Sequence, residues 1–142
     1  MSNKACFEEA FNLLCGEKLG SGIHRTVYEC RIRPDLVVKV ENDNYRVFAN
    51  VMESKFWDDN QFSKAIAKWL APVEFLSPDG RILLQRRVQP LVAGLKNMPE
   101  KLPAFLTDIK LDNFGILDGN LVCVDYAFTI QNVSTTMKKV TW

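Results

Sequence analysis

Apolar residues recur along this chain at two spacings, one typical of helices and the other of strands. The first apolar positions follow the helical period, at Phe7, Ala10, Phe11 and Leu14. Because Gly16 stands just after them as a candidate C-terminal cap, the pattern predicts a short amphipathic helix that lies on a sheet. From Glu17 to Glu41, β-branched and aromatic residues alternate with polar ones, and Pro34-Asp35 interrupts them. This second pattern predicts a three-stranded antiparallel meander.

Helical spacing returns twice after the meander and predicts two further helices. The first set is Tyr45, Phe48, Met52 and Phe56, and the second is Phe62, Ile66 and either Trp69 or Leu70. Turn residues then mark two hairpins, around Pro78-Asp79-Gly80 and around Asp118-Gly119-Asn120. Residues 129–142 suit either a short helix or a loosely docked tail. Together these elements predict an α+β fold, with a five-stranded antiparallel sheet and packed helices.

The composition is ordinary for a soluble globular domain, since 47% of the 142 residues are apolar. The 18 lysines and arginines nearly balance the 17 aspartates and glutamates, so no global field would draw the chain onto nucleic acid. No apolar run approaches the ~20 residues that span a bilayer. Two glutamates interrupt the first apolar stretch, unlike a secretory signal. We therefore expect a cytoplasmic protein that binds neither nucleic acid nor membrane.

The four cysteines are scattered without a C-x-x-C spacing, and His24 is the only histidine. A zinc site is therefore not expected. Buried free thiols that pack as small apolar residues are the favoured interpretation of Cys6, Cys15, Cys30 and Cys123. Disulfides are the alternative.

Two features of the meander could bind phosphate. Gly20-Ser21-Gly22 leads into a strand rather than a helix, which excludes a Rossmann turn and a Walker P-loop. A glycine-rich hairpin lets backbone amides approach a phosphate, although a tight hairpin without a ligand explains this stretch better when it is taken alone. Lys39 interrupts the apolar strand LVVKVE. It either pairs with Glu53 on the following helix or extends to solvent.

A third polar group lies in the stretch FLTDIKLDNFGI. Asp108, Lys110 and Asn113 lie there, and Asp125 follows at the end of an apolar strand. Asn113 and Asp125 offer the oxygen ligands that Mg²⁺ takes together with phosphate oxygens. Asp108 would orient or deprotonate an acceptor hydroxyl, and Lys110 would lie near the developing charge. A purely structural role for these residues is the alternative.

In order and spacing these residues resemble the motif set of the protein kinase-like superfamily. The resemblance covers residues 17–128 and is closest to miniature kinase-like proteins encoded by bacteriophages. It implies that ATP and Mg²⁺ are bound, with backbone around residues 85–88 meeting the adenine. The nucleotide-binding residues that it implies are Gly20, Ser21, Gly22, Val27, Val37, Lys39, Gln85 and Val88. The catalytic residues are Asp108, Lys110, Lys39 and Glu53, and the metal ligands are Asn113 and Asp125.

The sequence also departs from the kinase-like pattern. Arg25 replaces the third glycine of the loop, where it could touch phosphate or lie on the surface. Leu106-Thr107 replaces His-Arg, and Tyr126-Ala127 replaces Phe-Gly. Only 20 positions separate Val88 from Asp108, too few for the usual pair of long helices. The resemblance therefore implies one kinase-like domain over residues 1–142, with an N-lobe at about 1–87 and a strongly reduced C-lobe at 88–142.

Two functions are compatible with this pattern. The first is an ATP-dependent kinase that transfers the γ-phosphoryl group to a hydroxyl. The second is a pseudokinase-like interaction or inhibitor protein, acting on a host protein in the host cytoplasm if the origin is viral. A protein partner or a second copy of the chain would then cover the surface that the reduced lobe leaves open. The first helix and the tail with Val140 and Trp142 are other candidates for this covering.

Overall fold

The computed structural model describes residues 3–42, 48–91, 98–129 and 133–142. Tyr45, one of the predicted helix positions, lies outside the described residues. The helices within them are α1 (Asn3–Leu14), α2 (Ala49–Asn60) and α3 (Lys64–Ala67), and a 3-10 turn spans Leu111–Asn113. In these ranges no helix is long and apolar enough to cross a membrane.

Ten strands occur in the described residues. They are β1 (Cys15–Ser21), β2 (Arg25–Cys30), β3 (Leu36–Glu41), β4 (Val73–Leu76), β5 (Ile82–Arg86), β6 (Gln89–Pro90), β7 (Lys101–Pro103), β8 (Phe114–Leu117), β9 (Asn120–Cys123) and β10 (Met137–Lys139). The α+β class predicted from the sequence is confirmed, and so is the five-stranded antiparallel sheet, in the order β1-β2-β3-β5-β4.

The chain divides into two compact units. The first comprises residues 1–51 and 73–87, and the second comprises residues 52–72 and 88–142. The first unit contains the five-stranded sheet and α1. The second contains the three-stranded sheet β6-β8-β9 and the ladder of β7 with β10. One division between the units lies between residues 87 and 88, and residues 52–72 group with the later part of the chain.

Alternation along β3 builds the core of the first unit. Leu36, Val38 and Val40 point to one face of the sheet, where they pack with Cys15 and Cys30. Side chains of α1, β2 and β5 cover this cluster, namely Phe11, Leu14, Tyr28, Ile82 and Leu84. The prediction that the first helix lies on the sheet is therefore confirmed. Burial of such a cluster is the main favourable term in the folding of the unit.

The predicted glycine cap of α1 is wrong. The helix ends at Leu14, and Gly16 lies inside β1 without a positive φ. Arg31 takes over the capping role, because its backbone N–H donates to Leu14 O at 2.8 Å and its Nε donates to Cys15 O at 2.9 Å. The last carbonyl of the helix and the first of β1 are thus satisfied by the residue that follows β2 rather than by a left-handed glycine.

The predicted turn of the β4–β5 hairpin is confirmed. Gly80 has a φ of 76°, which favours glycine, and an added Cβ there would lie 2.7 Å from Val51 Cγ2. Asp79 accepts hydrogen bonds from the Arg81 N–H and from the Ser77 hydroxyl, and these bonds lower the pKa of Asp79. The turn residues chosen from the sequence therefore act through backbone geometry and side-chain acceptors, as expected for such positions.

The second predicted hairpin, β8–β9, organises the second unit. Asp118 and Gly119 have φ angles of 51° and 82°, the pattern of a type I′ turn, and Asn120 already belongs to β9. The outer edge of β9 is paired as well. The Cys123 N–H donates to Trp69 O at 2.7 Å, and the Ala71 N–H donates to Cys123 O at 2.9 Å.

This edge pairing corrects the predicted third helix. The helical spacing extended to Trp69 or Leu70, whereas α3 ends at Ala67. Leu70 is buried in a parallel bridge with Cys123. Phe62, counted as an apolar helix position, is 91% exposed. Pairing with β9 satisfies backbone groups that a longer helix would have satisfied internally, so tertiary contact overrides the periodic pattern.

The tail is neither a short helix nor loosely docked. Residues 137–139 form β10 and pair antiparallel with β7. Trp142 packs edge-on against Phe114, with ring centroids 5.0 Å apart, and its Nε1 donates to Pro99 O at 2.9 Å. Residues 137–142 therefore dock on the second unit through strand pairing and the Trp142 side chain.

The thiols follow the prediction with one exception. None of the four cysteines forms a disulfide, and Cys15, Cys30 and Cys123 are buried. Cys6 is exposed, so the expectation that it packs in a core is wrong. It lies on α1 outside the set of side chains that cover the sheet.

We expect Gly115→Ala to destabilise the protein, because an added Cβ would overlap Val88 Cγ2 and lie 2.8 Å from Gln89 O. Backbone cannot yield as a flexible side chain can, so the free energy of unfolding should fall by about 1–3 kcal/mol. Urea denaturation measures it. Gly20→Ala is the matched control, since nothing lies within 4 Å of its added Cβ. Equal midpoints for the two variants would contradict the close packing at Gly115.

Candidate functional site

Four of the predicted nucleotide-binding residues share one face of the five-stranded sheet. Lys39 is paired across the ladder with Val27, and Val37 is paired with Gln85. Because paired residues point to the same side, and alternate residues of one strand do too, all four lie opposite the face that α1 covers. The structure of the first unit therefore brings together an apolar pair, a lysine and an amide.

Lys39 is buried, with 4% of its surface exposed. The alternative in which its side chain extends to solvent is therefore wrong. A buried ammonium is costly unless hydrogen bonds or opposite charge compensate it. Pairing of Lys39 with Glu53 remains a prediction.

The glycine hairpin joins β1 to β2. Gly20 and Ser21 are paired with Val27 and Thr26 in β2, and the Gly22 N–H closes the loop by donating to Arg25 O at 2.8 Å. All three residues from 20 to 22 are exposed. The loop is thus a tight hairpin whose backbone reaches solvent.

Asn42 holds this hairpin in place, and no sequence pattern identified it. Its Nδ2 donates to Gly22 O at 3.0 Å and to Ile23 O at 3.1 Å, and its Oδ1 accepts from the Thr26 hydroxyl at 3.0 Å. The donor and the acceptor of the Asn42 amide therefore both form hydrogen bonds with this hairpin. An asparagine that follows a strand is too common to be recognised as such a brace without the fold.

Arg25 and Asn50 form a second polar contact that the sequence did not reveal. Arg25 is 8% exposed, so the prediction that it could lie on the surface is wrong. Its Nη1 donates to Asn50 Oδ1 at 3.2 Å, while Asn50 Nδ2 donates to Lys39 O and Arg81 O, each at 3.0 Å. Asn50 thus ties the backbone of β3 to the β4–β5 hairpin, next to the lysine.

The segment predicted to meet the adenine, residues 85–88, lies partly in β5 and partly in the connection that follows it. Gln85 lies inside β5, paired with Val37 on one side and Val73 on the other. The Arg87 N–H donates to Asp35 O at 2.8 Å. Val88 follows β5, belongs to the second unit and packs close to Gly115. Of this segment, Val88 therefore lies outside the hydrogen bonds of the five-stranded sheet.

In the second unit, Asn113 connects Asp108 with the segment that leads to Asp125. It is buried, its Nδ2 donates to Asp108 O at 3.0 Å, and its backbone O accepts from the Val124 N–H at 2.8 Å. Because Val124 precedes Asp125, these two bonds place the backbone of Asp108 and the backbone next to Asp125 beside the asparagine. The 3-10 turn that ends at Asn113 gives the chain the tight reversal that this arrangement needs.

Asp108 and Asp125 line one cavity of about 80 Å³, together with Thr107, Cys123 and Thr129. Both aspartates are exposed. Lys110 Nζ lies 3.8 Å from Asp108 Oδ2, and both side chains are more than half exposed. A pair in this setting contributes little to stability, so its charges are free to serve another purpose. The cavity is therefore small, open to water and acidic on two sides.

Glu53 and Tyr126 are buried residues that hold the backbone next to Asp125 in place. Glu53 is fully buried, and its Oε2 accepts from the Tyr126 N–H at 3.1 Å. The Tyr126 hydroxyl donates to Ala71 O at 2.6 Å, and its ring contacts Phe56. Tyr126 stands where the kinase-like pattern has phenylalanine, so its hydroxyl adds an anchor to the residue beside Asp125. Nothing in the sequence distinguished this role from that of an ordinary core aromatic.

Among the described residues, no three His, Cys, Asp or Glu side chains converge on one point. A site built from Asn113 and Asp125 would thus depend on oxygen atoms supplied by a ligand. No protein-family model matches the chain, and no curated protein matches it.

We expect Tyr126→Phe to lower the free energy of unfolding by about 1–3 kcal/mol. The substitution removes the hydroxyl that donates to Ala71 O and leaves a buried carbonyl without its bond. Tyr28→Phe is the matched control, because the half-buried Tyr28 contributes its ring to a contact with Phe11. Guanidinium denaturation of both variants measures the difference. An unchanged midpoint for Tyr126→Phe would contradict the anchor.

Proposed function

We propose that this protein is a kinase-like protein that binds ATP with Mg²⁺ and transfers the γ-phosphoryl group to a hydroxyl. The observation that carries the proposal is the pair of hydrogen bonds through Asn113, which place the backbone of Asp108 and of the residue before Asp125 next to one buried asparagine. Metal-assisted phosphoryl transfer commonly uses one acid to hold the metal and another to position the acceptor.

The donor set suits Mg²⁺. Asn113 uses its Nδ2 on Asp108 O, which leaves its Oδ1 as the atom that a hard cation prefers. Asp125 offers an exposed carboxylate next to the hydrogen bond between Val124 and Asn113. Mg²⁺ is commonly held by one or two such protein oxygens, with phosphate oxygens and water completing its shell. When bound, it would neutralise charge on the phosphate chain.

The remaining residues have separate tasks in this proposal. Lys39 would contact the α- and β-phosphates, and Glu53 would orient Lys39. Asp108 would accept a hydrogen bond from the acceptor hydroxyl, since an exposed carboxylate at the cavity can be reached from solvent. Lys110, 3.8 Å from that carboxylate, would offset negative charge on the transferred group. Transfer of this kind depends on positioning and charge more than on covalent chemistry.

The face of the first sheet supports the nucleotide half of the proposal. Val27 and Val37 offer apolar surface for a base, beside Lys39 on the same face. The exposed backbone of residues 20–22 can approach phosphate without side chains in the way at Gly20 and Gly22. The brace that Asn42 provides would keep this backbone ordered before a ligand arrives.

We expect ATP with Mg²⁺ to raise the melting temperature of the wild-type protein. Ligand at ~100 times its dissociation constant adds about 2.7 kcal/mol to the folded state. Asp125→Asn should lose the Mg²⁺-dependent part of this shift, because the amide is a weaker ligand for a hard cation. Asp112→Asn is the matched control, an exposed aspartate beside Asn113 that has no assigned role. A wild-type protein whose melting temperature does not respond to ATP would refute nucleotide binding.

We further expect Asp108→Asn to retain this ATP-induced shift and to lose phosphoryl transfer by at least about 100-fold. Incubation with γ-labelled ATP, alone and with cell lysate, measures the transfer. A wild-type protein that binds ATP and labels neither itself nor any lysate protein would favour the pseudokinase-like alternative. In that case the nucleotide would serve to order an interaction surface.

A further inference from the structure

Cys15 and Cys30 face each other across the first hairpin. They are directly paired residues of the antiparallel strands β1 and β2. Both are free and buried, and both belong to the core cluster that α1 covers. Their side chains therefore lie on the same side of the sheet, within one apolar environment.

The register puts this pair at the spacing that a disulfide needs. The Arg31 N–H donates to Leu14 O at 2.8 Å, so the neighbouring pair of positions is the hydrogen-bonded one. Cys15 O is also turned outward, where it accepts from Arg31 Nε at 2.9 Å. Since the two kinds of pair alternate, Cys15 and Cys30 form a non-hydrogen-bonded pair, for which the Cα separation is about 4.5 Å. Disulfides span Cα separations of roughly 4.4–6.8 Å.

We propose that Cys15 and Cys30 are a redox site, which a small-molecule disulfide of the glutathione class oxidises to an intrachain disulfide. One thiolate attacks the small disulfide, forms a mixed disulfide and releases the first small thiol. The second cysteine then displaces the remaining small thiol and forms the sulfur–sulfur bond between the strands. The two cysteines lose two electrons and two protons, and the reagent leaves as two reduced thiols.

Access to the thiols limits this reaction. Burial, with a smaller contribution from the neighbouring Cys30, raises the pKa of Cys15 to about 11, so little thiolate exists at neutral pH. The side chains of Phe11 and Leu14 cover the cluster that contains both cysteines. Oxidation therefore requires α1 to separate transiently from the sheet. The pair consequently responds to sustained rather than brief exposure to an oxidant.

The bond would lock the hairpin that carries the glycine loop. A link from Cys15 to Cys30 closes a ring around residues 16–29, which include Gly20-Ser21-Gly22. Cross-linking of a loop this short restricts mainly the open and unfolded states of the hairpin. The device is independent of the proposed nucleotide binding, because it depends only on the two strands and on α1.

To test the proposal, the folded, reduced wild-type chain is treated with oxidised glutathione. Its peptides are then mapped without reduction. We expect a peptide that links Cys15 to Cys30, and a rise in melting temperature of roughly 5–10 °C that dithiothreitol reverses. Slower hydrogen exchange in residues 16–29 should accompany the link. Cys15→Ala and Cys30→Ala should abolish all three effects, while the matched controls Cys6→Ala and Cys123→Ala should retain them.

Phe11→Ala provides an independent kinetic measurement. Phe11 packs edge-on against Tyr28, with ring centroids 5.1 Å apart, and helps to cover the pair. Its removal should speed formation of the same link several-fold. The proposal is overturned if Cys15 and Cys30 stay reduced in the folded wild-type chain, if either keeps a glutathione adduct, or if the link forms only in denaturant. Wild-type mapping decides the matter even where a cysteine variant folds poorly.

Discussion

The second unit depends on the hydrogen bonds that residues 69–71 make with the chain after β8. Trp69 O and the Ala71 N–H both bond to the backbone of Cys123, and Ala71 O accepts from the Tyr126 hydroxyl. Buried backbone groups that lose such partners carry a large desolvation cost. The short α3, the covered edge of β9 and the fixed position of Tyr126 all follow from satisfying these few groups.

Buried amides do similar work in both units. Asn50 ties Lys39 O to Arg81 O in the first unit, and Asn113 ties Asp108 O to the strand before Asp125 in the second. The Asn50 side chain alone joins two backbone segments, whereas Asn113 uses its side-chain Nδ2 for one bond and its backbone O for the other. Each of these amides stands beside a charged residue of the candidate site. The local polar network thus fixes the backbone from which that charge projects.

In the second unit, the candidate site combines exposed charges with buried polar residues that also support the fold. Asp108, Lys110 and Asp125 are exposed, while Asn113 and Glu53, which contact the same segments, are buried. Exposed charges contribute little to folding, whereas buried polar residues with several bonds contribute much. Substitution of the exposed acids should consequently report on function, whereas substitution of their buried neighbours should affect folding as well. The exposed acids therefore make the proposed function open to a clean test.

Periodicity and turn residues determined much of the fold from the sequence alone. The alternation in β3, the helical spacing of α1 and the turns at Gly80 and Gly119 act over a few residues, so a local pattern specifies them. The same holds for the grouping of Asp108 with Asn113, which one short loop brings together.

The tertiary structure decided what depended on distant partners. Arg31 caps α1 in place of Gly16, pairing with Cys123 ends α3 early, and the tail becomes a strand because β7 offers it an edge. The roles of Asn42 and Tyr126 belong here too. Backbone groups at helix ends and strand edges accept any partner of suitable geometry, and a sequence pattern does not state which distant residue will supply it.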